Sequence, residues 1–430
     1  MADDSPGTPH ETAPSTASTP SGSPCSSGQA MSPGGAPGTG SPPSRVRPTS
    51  LAETAAALEA AASEQQSLLF TGAGTALQWG APVSRTDLVV ETTGLDRLVS
   101  HAPEDWTVGV EAGMPLAQLQ QLLAPAGQWL PLDAPTERAG ATLGGLLAGG
   151  DAGPRRLKYG GLSDLVIGAT LVMADGSVVR TGGDVIKNVA GYDLAKLMAG
   201  SLGAFGLVAQ LNLRVHPLPE STATLALETA DATQALVAAR AVMRSPLEPV
   251  AVEWDGKQLL VRFHGTEDST ASRGQLGTAL PELAGARVLD AEGEHAAWAR
   301  MAALVAGEEG ETVLRAGTRP AQLPALHAQL HALTEGTGVE AMLVSGVAQG
   351  VHTVVLRGGD PEEHAACLTA WREAVHESGG SVTLRRRLEG VDAVADSWGP
   401  APPTTPVLRA LKRQFDPDER CARGRFAPWF

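Results

Sequence analysis

The sequence predicts an α+β protein, on the basis of its length and of two patterns of alternating elements. A chain of 430 residues is long enough for two or three domains and a sizeable core. Between residues 50 and 125, helical runs alternate with short apolar or β-branched runs. From about residue 222 the order strand, helix, strand occurs twice, which predicts one antiparallel sheet covered by helices.

Residues 1–48 differ in composition from the rest of the chain. Ser, Thr, Pro and Gly dominate, and large apolar residues are nearly absent. Such a segment cannot bury enough apolar surface to offset the entropy lost on ordering, so we predict a disordered tail. It lacks the basic start and apolar run of a secretory signal.

The segment after the tail predicts helices and strands in alternation. Ser50 and Glu53 have the S-x-x-E spacing of a capping box, ahead of a helix from about Leu51 to Ala62. The runs SLLFTGAGTAL, LVVETT and WTVGVEAG follow, separated by turn residues and typical of strands. Leucines at helical spacing then predict a second helix, which Pro125 ends.

The next part of the chain predicts a hairpin and a domain boundary. Asp175 and Gly176 form the Asp-Gly dipeptide that suits a tight turn between two strands. The run YDLAKLMAGS predicts a short helix ended by Gly200. A further strand stops at Pro217 and Pro219, where we place the boundary.

Composition excludes several classes of function. A formal charge of -15 and an aromatic content of 4% argue against a nucleic-acid-binding surface. No window approaches the roughly 20 apolar residues of a transmembrane helix. Cys25, Cys367 and Cys421 are too far apart for a disulfide framework, a C-x-x-C pair or a local iron-sulfur ligand set. We therefore expect a cytoplasmic protein.

The first glycine-containing loop is TGAGTALQWG, residues 71–80. Gly72 and Gly74 follow a strand-like run, as in loops whose backbone N–H groups bind phosphate. Leu77 stands where a dinucleotide fingerprint has its third glycine, and the Gly-Lys-Ser/Thr of a P-loop is absent. A plain turn remains an equal alternative.

Two further segments are rich in glycine. The run TLGGLLAGGDAGPRRLKYGG has no helical or strand period, which favours either a bend between packed strands or a large planar or phosphate-bearing ligand along the main chain. The third segment spans residues 182–208. Tyr159 and Tyr192, the two tyrosines of the chain, lie in these two segments, which is compatible with ligand contact or core packing.

These segments carry a resemblance to a known family. The run G-G-x-V-x-K-N-V-A-G-Y-D-L at residues 182–194, together with the preceding glycines, resembles the FAD-binding domain of the p-cresol methylhydroxylase / vanillyl-alcohol oxidase superfamily. Within it, the match is to the E subunits of bacterial glycolate oxidase. The resemblance covers about residues 69–219, and weaker agreement in WGPAPP, LKRQFDP and RGRF reaches the C-terminus.

The resemblance implies a domain organisation and a cofactor. Residues 49–219 would form a two-part FAD-binding domain, residues 220–400 an α+β domain with an antiparallel sheet, and residues 401–430 a segment returning to the FAD-binding domain. Relatives that tether flavin use a histidine or cysteine, and neither occurs at 71–80 or 142–153, so FAD is expected to be noncovalent.

The resemblance also implies a set of cofactor-binding residues. The first loop would hold the pyrophosphate, and the second would run beside pyrophosphate and flavin, where side chains would collide with the cofactor. The expected residues are Thr71, Gly72, Ala73, Gly74, Thr75, Ala76, Thr142, Gly144, Gly145, Gly149, Gly150, Gly153, Tyr192 and Val208.

By resemblance, the chain is expected to be an FAD-binding subunit in the oxidation of glycolate to glyoxylate. Its partners would be a catalytic FAD subunit and an iron-sulfur subunit, with membrane association only through those partners. The H-x-G-D-G-N-type motif of catalytic relatives is absent, and no residue stands out as a catalytic base. A stand-alone FAD-dependent 2-hydroxyacid dehydrogenase and a non-catalytic assembly subunit are the alternatives.

Other polar groups are expected to be structural. His327 and His331 have metal-compatible i, i+4 spacing but no third ligand nearby, so a solvated helix and no metal site are expected. The run Arg385 to Arg387 predicts two surface side chains and one inward contact, since neighbours on a strand face opposite sides. Two departures from the family pattern are Ser163, where relatives have arginine, and Arg423, where they have proline.

Overall fold

A computed structural model describes residues 42–184 and 193–430. Its α-helices are α1 (Leu51–Ser63), α2 (Leu116–Leu123), α3 (Leu143–Gly149), α4 (Arg156–Tyr159), α5 (Leu162–Leu165), α6 (Leu194–Met198), α7 (Ala232–Arg244), α8 (Glu267–Thr278), α9 (Ala291–Ala306), α10 (Leu323–Thr334), α11 (Pro361–Glu377) and α12 (Thr405–Phe415). Its strands are β1 (Ser44–Val46), β2 (Leu68–Thr71), β3 (Leu88–Glu91), β4 (Leu98–Ala102), β5 (Thr107–Glu111), β6 (Gln128–Trp129), β7 (Val166–Val172), β8 (Val178–Gly182), β9 (Leu207–Arg214), β10 (His216–Pro217), β11 (Ser221–Glu228), β12 (Ala251–Trp254), β13 (Gln258–Gly265), β14 (Arg287–Val288), β15 (Thr312–Gly317), β16 (Val339–Gly346), β17 (Val351–Gly358) and β18 (Ser381–Arg386).

The first half of the chain contributes two main sheets. A parallel sheet has the order β1-β3-β2, and an antiparallel sheet has the order β4-β5-β9-β7-β8. The expected hairpin joins β7 to β8, with Gly176 at a φ of +86° that favours glycine. The α+β prediction is confirmed.

The start of the ordered chain differs in two details from the prediction. Strand β1 lies within the predicted tail of residues 1–48 and pairs with β3, and its three residues are too few to show a period in the sequence. Ser50 caps α1 by accepting from the Glu53 N–H at 3.2 Å. The Glu53 carboxylate accepts from the N–H and hydroxyl of Thr49 rather than from Ser50, so half of the capping box forms.

The second glycine segment contains a helix that the sequence reasoning missed. Leu143, Leu146 and Leu147 are buried and have the i, i+3, i+4 spacing of a helix face, a pattern hidden among glycines. Thr142 caps the helix by accepting from a backbone N–H, and Gly150 ends it at a φ of +61°.

The second half of the chain forms an eight-stranded antiparallel sheet of order β14-β11-β13-β12-β16-β17-β15-β18. Helices α7, α10 and α11 cover one face, where Trp254, Phe263 and Trp371 are fully buried. Helix α9 covers part of the other face, with Met301 packed among sheet residues. The sheet face beside α9 carries the charged residues described below.

The C-terminal segment packs against the first half of the chain. The Leu68 N–H donates to the Arg420 carbonyl at 2.7 Å, and the Ala422 N–H donates to the Leu68 carbonyl at 2.8 Å. The buried Lys412 ammonium donates to the Asp416 carboxylate at 2.6 Å. These contacts agree with a returning segment, while the boundaries 49–219, 220–400 and 401–430 stay predictions.

Candidate functional site

A cleft opens to solvent where β2, α3 and the start of β9 meet. We call it the glycine cleft. Bare main chain and small side chains make up much of its wall. Of the predicted cofactor-binding residues, those lining it are Thr71, Gly72, Ala73, Gly74, Thr75, Ala76, Thr142, Gly144, Gly145, Gly149 and Val208.

The two predicted loops touch each other at this cleft. A Cβ atom built on Gly72 would lie 2.1 Å from the Thr142 hydroxyl oxygen, so a side chain there could not be accommodated without movement. A Cβ atom on Gly145 would meet that hydroxyl at 3.1 Å and no further atom outside its own helix. Glycine at 72 therefore serves close packing of the loops, and glycine at 145 leaves space in the cleft.

Three of the predicted residues do not line the glycine cleft. Gly150 is the left-handed residue that ends α3. Gly153 lies against the main chain of Asp133, where an added Cβ would come within 2.0 Å of the carbonyl oxygen. The positive φ of the first and the tight packing of the second explain these glycines without a ligand. Tyr192 lies outside the described residues.

The first loop presents backbone donors without acceptors. In residues 42–184 and 193–430, the N–H groups of Ala73, Gly74, Thr75 and Ala76 donate no hydrogen bond. Gly74 has a φ of +76°. Consecutive unpaired N–H groups around a left-handed residue are suited to binding an anion such as a phosphate.

An arginine that the sequence reasoning did not single out completes the cleft wall. Arg425 lines the cleft and donates to the carbonyls of Leu77, Trp79 and Ala81 at 2.9, 3.0 and 3.0 Å. Burial, with Arg387 nearby, lowers the pKa of Arg425 to about 10, so the guanidinium stays charged at neutral pH. The RGRF run was the sequence signal that could have pointed to it.

Two arginines of the RRR run face the same loop. Arg385 lies over the Trp79 ring at 3.6 Å and pairs with Asp151 at 3.2 Å. Arg387 donates to the carbonyls of Gln78 and Gly80. The prediction of a single inward contact is wrong, because Arg385 near the end of β18 and Arg387 just beyond this strand both contact residues 78–80.

A second cavity is lined in part by the segment 152–155. Its wall includes Gly153 and Arg155 from the first half of the chain, and Glu253, Arg262 and Arg315 from the eight-stranded sheet. The wall contains four arginines and three carboxyl groups, although the whole chain has a formal charge of -15. The cavity is thus a cationic region of an acidic protein.

A family model described as an FAD binding domain matches residues 42–182. The chain carries an FAD-binding domain. The domain is of the p-cresol methylhydroxylase type, as the resemblance implied.

Curated relatives align with part of the chain. Glycolate oxidase subunit GlcE of Escherichia coli (strain K12) is 33% identical over 218 residues, covering 50% of this chain and 61% of that protein. Glycolate oxidase subunit GlcD of Bacillus subtilis (strain 168) is 34% identical over 154 residues, covering 36% and 33%. D-lactate dehydrogenase of Anaerostipes hadrus is 30% identical over 191 residues, covering 44% and 40%. The chain therefore spans at most about three fifths of these relatives.

Solved structures extend the similarity in fold beyond the FAD-binding domain. Alkyldihydroxyacetonephosphate synthase matches with a TM-score of 0.67 at 16% identity, covering 88% of this chain and 75% of that one. At this identity the likeness concerns the fold alone. It includes the eight-stranded sheet as well as the FAD-binding domain.

Residues 42–184 and 193–430 contain neither a candidate membrane span nor a candidate metal site. No helix there combines the length and hydropathy needed to cross a membrane. No three His, Cys, Asp or Glu side chains there come together as a metal-binding group. His327 and His331 have their Nε2 atoms 3.0 Å apart, and the His327 ring packs against Trp254.

Proposed function

We propose that this chain is the noncovalent FAD-binding subunit of a complex that oxidises glycolate to glyoxylate. The observation that carries the proposal is the contact between Gly72 and Thr142, which brings two glycine-rich loops of an FAD-binding domain to one cleft. Bound FAD would supply the acceptor for two electrons, and the protein would supply binding, orientation and electrostatics.

The cofactor would be held mainly by main chain. The unpaired N–H groups of residues 73–76 would donate to the pyrophosphate, for which the protein offers few cationic side chains elsewhere in the cleft. Gly145 and Gly149 would let the cofactor approach α3. Arg425 would fix the loop that follows the amides and add one positive charge to the cleft wall.

The residues that line the cleft support noncovalent binding of FAD. Within the described residues, its wall contains neither histidine nor cysteine, the side chains that link flavin covalently in relatives. The Cys421 thiol is fully buried in the core beside β2, and burial raises its pKa above the usual range. This supports noncovalent binding.

The relatives support the partners of the proposal. Two of them are named as subunits of glycolate oxidase, and others are D-lactate and D-2-hydroxyglutarate dehydrogenases. We infer a small 2-hydroxy acid as substrate, a catalytic FAD subunit and an iron-sulfur subunit as partners, and a cytoplasmic location with membrane association through those partners.

One observation favours a second candidate function, a stand-alone FAD-dependent 2-hydroxyacid dehydrogenase. The second cavity is cationic and is lined by side chains from both halves of the chain, as a site for a carboxylate substrate would be. A non-catalytic assembly subunit is disfavoured, since such a subunit has no need of a glycine-lined cleft with unpaired amides.

A spectroscopic experiment on the purified full chain separates these functions. A yellow protein that keeps its flavin spectrum when glycolate is added without oxygen, but is bleached once the partner subunits are added, supports the subunit proposal. Bleaching of the chain alone supports the stand-alone enzyme. A colourless protein that takes up no added FAD contradicts both.

A further inference from the structure

We propose that the second cavity binds a small monocarboxylate, with Arg315 as its counter-ion and the carboxylic acid of Glu253 beside it. The choice of a 2-hydroxy acid as the natural ligand rests on the proposed function. The anion site itself rests only on the charges and contacts of the cavity wall.

Arg315 is a cation in the cavity wall that lacks an ion-pair partner. It lies on β15 and donates to the Thr353 hydroxyl at 2.7 Å and, more weakly, to the Ala152 carbonyl at 3.5 Å. In the part of the chain that the structure describes, no carboxylate oxygen lies within 4.0 Å of its guanidinium. A guanidinium withdrawn from water without a carboxylate is unfavourable, so an anion in the cavity would be stabilised there.

Of the other three arginines in the wall, Arg138 is exposed to solvent, and Arg155 and Arg262 already have acidic partners. Arg155 lies 3.8 Å from the Asp133 carboxylate and over the Trp129 ring. Arg262 lies 2.9 Å from the Glu294 carboxylate. These two arginines strengthen the positive potential of the cavity, while Arg315 retains the capacity for a new charged partner.

Glu253 does not neutralise Arg315. Its side chain is 7% exposed, and its carboxyl group has no hydrogen-bond or ion-pair partner among residues 42–184 and 193–430. Burial raises the pKa of Glu253 to about 8; Arg315 opposes this shift and Asp133 adds to it. At neutral pH the group is therefore a neutral acid, which can donate a hydrogen bond to a carboxylate ligand.

An incoming anion would bias Glu253 further towards its protonated form. A negative charge beside a carboxyl group disfavours its ionisation, so binding near pH 8 should be accompanied by proton uptake. The other titratable and charged groups that line the cavity are Asp133, Glu137, Arg138, Arg155, Arg262, His295 and Arg315. The arginines stay charged across this pH range, whereas burial also raises the pKa of Asp133 and of Glu137, so a variant of Glu253 is needed to assign the proton.

The remaining wall limits the ligand to a small molecule with little further charge. Trp298, Met301 and Val344 contribute apolar surface to the wall, and the Arg262 guanidinium, which is paired with Glu294, lies over the Trp298 ring at 5.3 Å. A short hydroxy acid, with one carboxylate and few carbons, matches this distribution.

Calorimetric titration of the FAD-loaded full chain with sodium glycolate tests the inference, with neutral glycolamide as the control ligand. We expect the wild type to bind glycolate and not glycolamide. Arg315→Met should weaken glycolate binding at least tenfold, and Arg240→Met, on an exposed position of α7, should change it less than twofold. Equal affinity of the Arg315 and Arg240 variants would overturn the proposal.

The proton balance is tested with Glu253→Gln, which copies the neutral acid in shape. At pH 7 this variant should bind glycolate with nearly the wild-type affinity. At pH 8.5, binding enthalpies measured in buffers of different ionisation heat should show proton uptake for the wild type and none for the variant. Proton uptake that persists in Glu253→Gln would contradict the assignment of Glu253 as the group that takes up the proton.

Flavin content separates this inference from the proposed function. It is read from the visible spectrum of each sample before titration. A chain that retains FAD but binds no glycolate contradicts the carboxylate site and leaves the FAD-binding role standing. A chain that binds glycolate through Arg315 but cannot hold FAD supports the carboxylate site and contradicts the FAD-binding role.

Discussion

The glycine cleft and the second cavity are two recesses of one chain, built in opposite ways. The cleft is made of glycine, backbone amides and short side chains, with Arg425 as its charged residue. The second cavity is made of long charged side chains, including Arg155, Glu253 and Arg315. A cleft of main chain is suited to a large cofactor that lies along it, whereas a cavity of charged side chains is suited to a small anion.

The two recesses also respond differently to pH. The N–H groups of residues 73–76 do not titrate, so the binding capacity of the glycine cleft should be constant near neutrality. In the second cavity Glu253 changes charge near pH 8. The difference between the two recesses can therefore be tested by steric substitutions in the glycine cleft and by charge substitutions in the second cavity.

The largest expected effect is on the glycine cleft. Gly145→Val should yield protein without flavin, because the new side chain would project into the cleft, where its Cβ has one close neighbour at 3.1 Å. Loss of FAD on purification corresponds to an affinity decrease of about 100-fold or more, roughly 2.7 kcal/mol. The measurement is the ratio of flavin absorbance to protein absorbance after gel filtration with excess FAD.

A matched valine elsewhere controls for destabilisation. Gly317 is exposed at the end of β15, and an added Cβ there meets no atom closer than 4.0 Å. Gly317→Val should keep its flavin. The assignment of the glycine cleft would be contradicted if Gly145→Val retained as much FAD as Gly317→Val while both unfolded at similar temperatures.

The glycine cleft could be anticipated from the sequence and the second cavity could not. Glycine runs are local signals, and a resemblance carried by residues 69–219 pointed to the same loops. The carboxyl and guanidinium groups of the second cavity come from separate strands, and only the sheet order brings them together. Arg425 was missed for the same reason, since it lies 348 residues along the chain from Leu77.

Helix α3 was not predicted from the sequence for a different reason. Its apolar positions, Leu143, Leu146 and Leu147, do have helical spacing. Glycine destabilises an isolated helix by about 1 kcal/mol per residue relative to alanine, so local propensity argued against the helix. Packing of those leucines in the core, together with caps at Thr142 and Gly150, stabilises it in the folded protein.

A smaller effect is expected at the edge of the glycine cleft. Arg425→Met removes the donor shared by the carbonyls of Leu77, Trp79 and Ala81. The loop should lose its fixed position, and FAD affinity should fall by about 10- to 100-fold, equivalent to roughly 1.4–2.7 kcal/mol. Titration of the apoprotein with FAD, followed by flavin fluorescence, measures this change.

Arg423 provides the matched control for that variant. Its side chain is exposed two positions away, and its backbone carbonyl accepts hydrogen bonds from the hydroxyl and the N–H of Ser84. Arg423→Met should bind FAD like the wild type. Arg425→Lys should keep part of the FAD affinity that Arg425→Met loses, because an ammonium can still donate to one or two of the carbonyls. Full FAD affinity in Arg425→Met would show that the hydrogen bonds from Arg425 to the loop have no role in cofactor binding.

The last expected effect is on the pH dependence of protein stability rather than on ligand binding, and it depends on Glu253 in the second cavity. Folding raises the pKa of Glu253 from 4.5 to about 8, so between these values the folded chain binds a proton that the unfolded chain releases. The contribution of this group to stability is therefore present below pH 4.5 and is lost as pH rises towards 8. Glu253→Gln cannot ionise, so its stability does not fall in this way. The free energy of unfolding of the variant, relative to that of the wild type, should therefore rise with pH by at most about 1.4 kcal/mol per pH unit. Denaturant unfolding at pH 5, 6.5 and 8 measures the difference in unfolding free energy between the two proteins. A difference independent of pH would mean that Glu253 is already ionised in the folded protein. It would then repel, rather than assist, an anion beside Arg315.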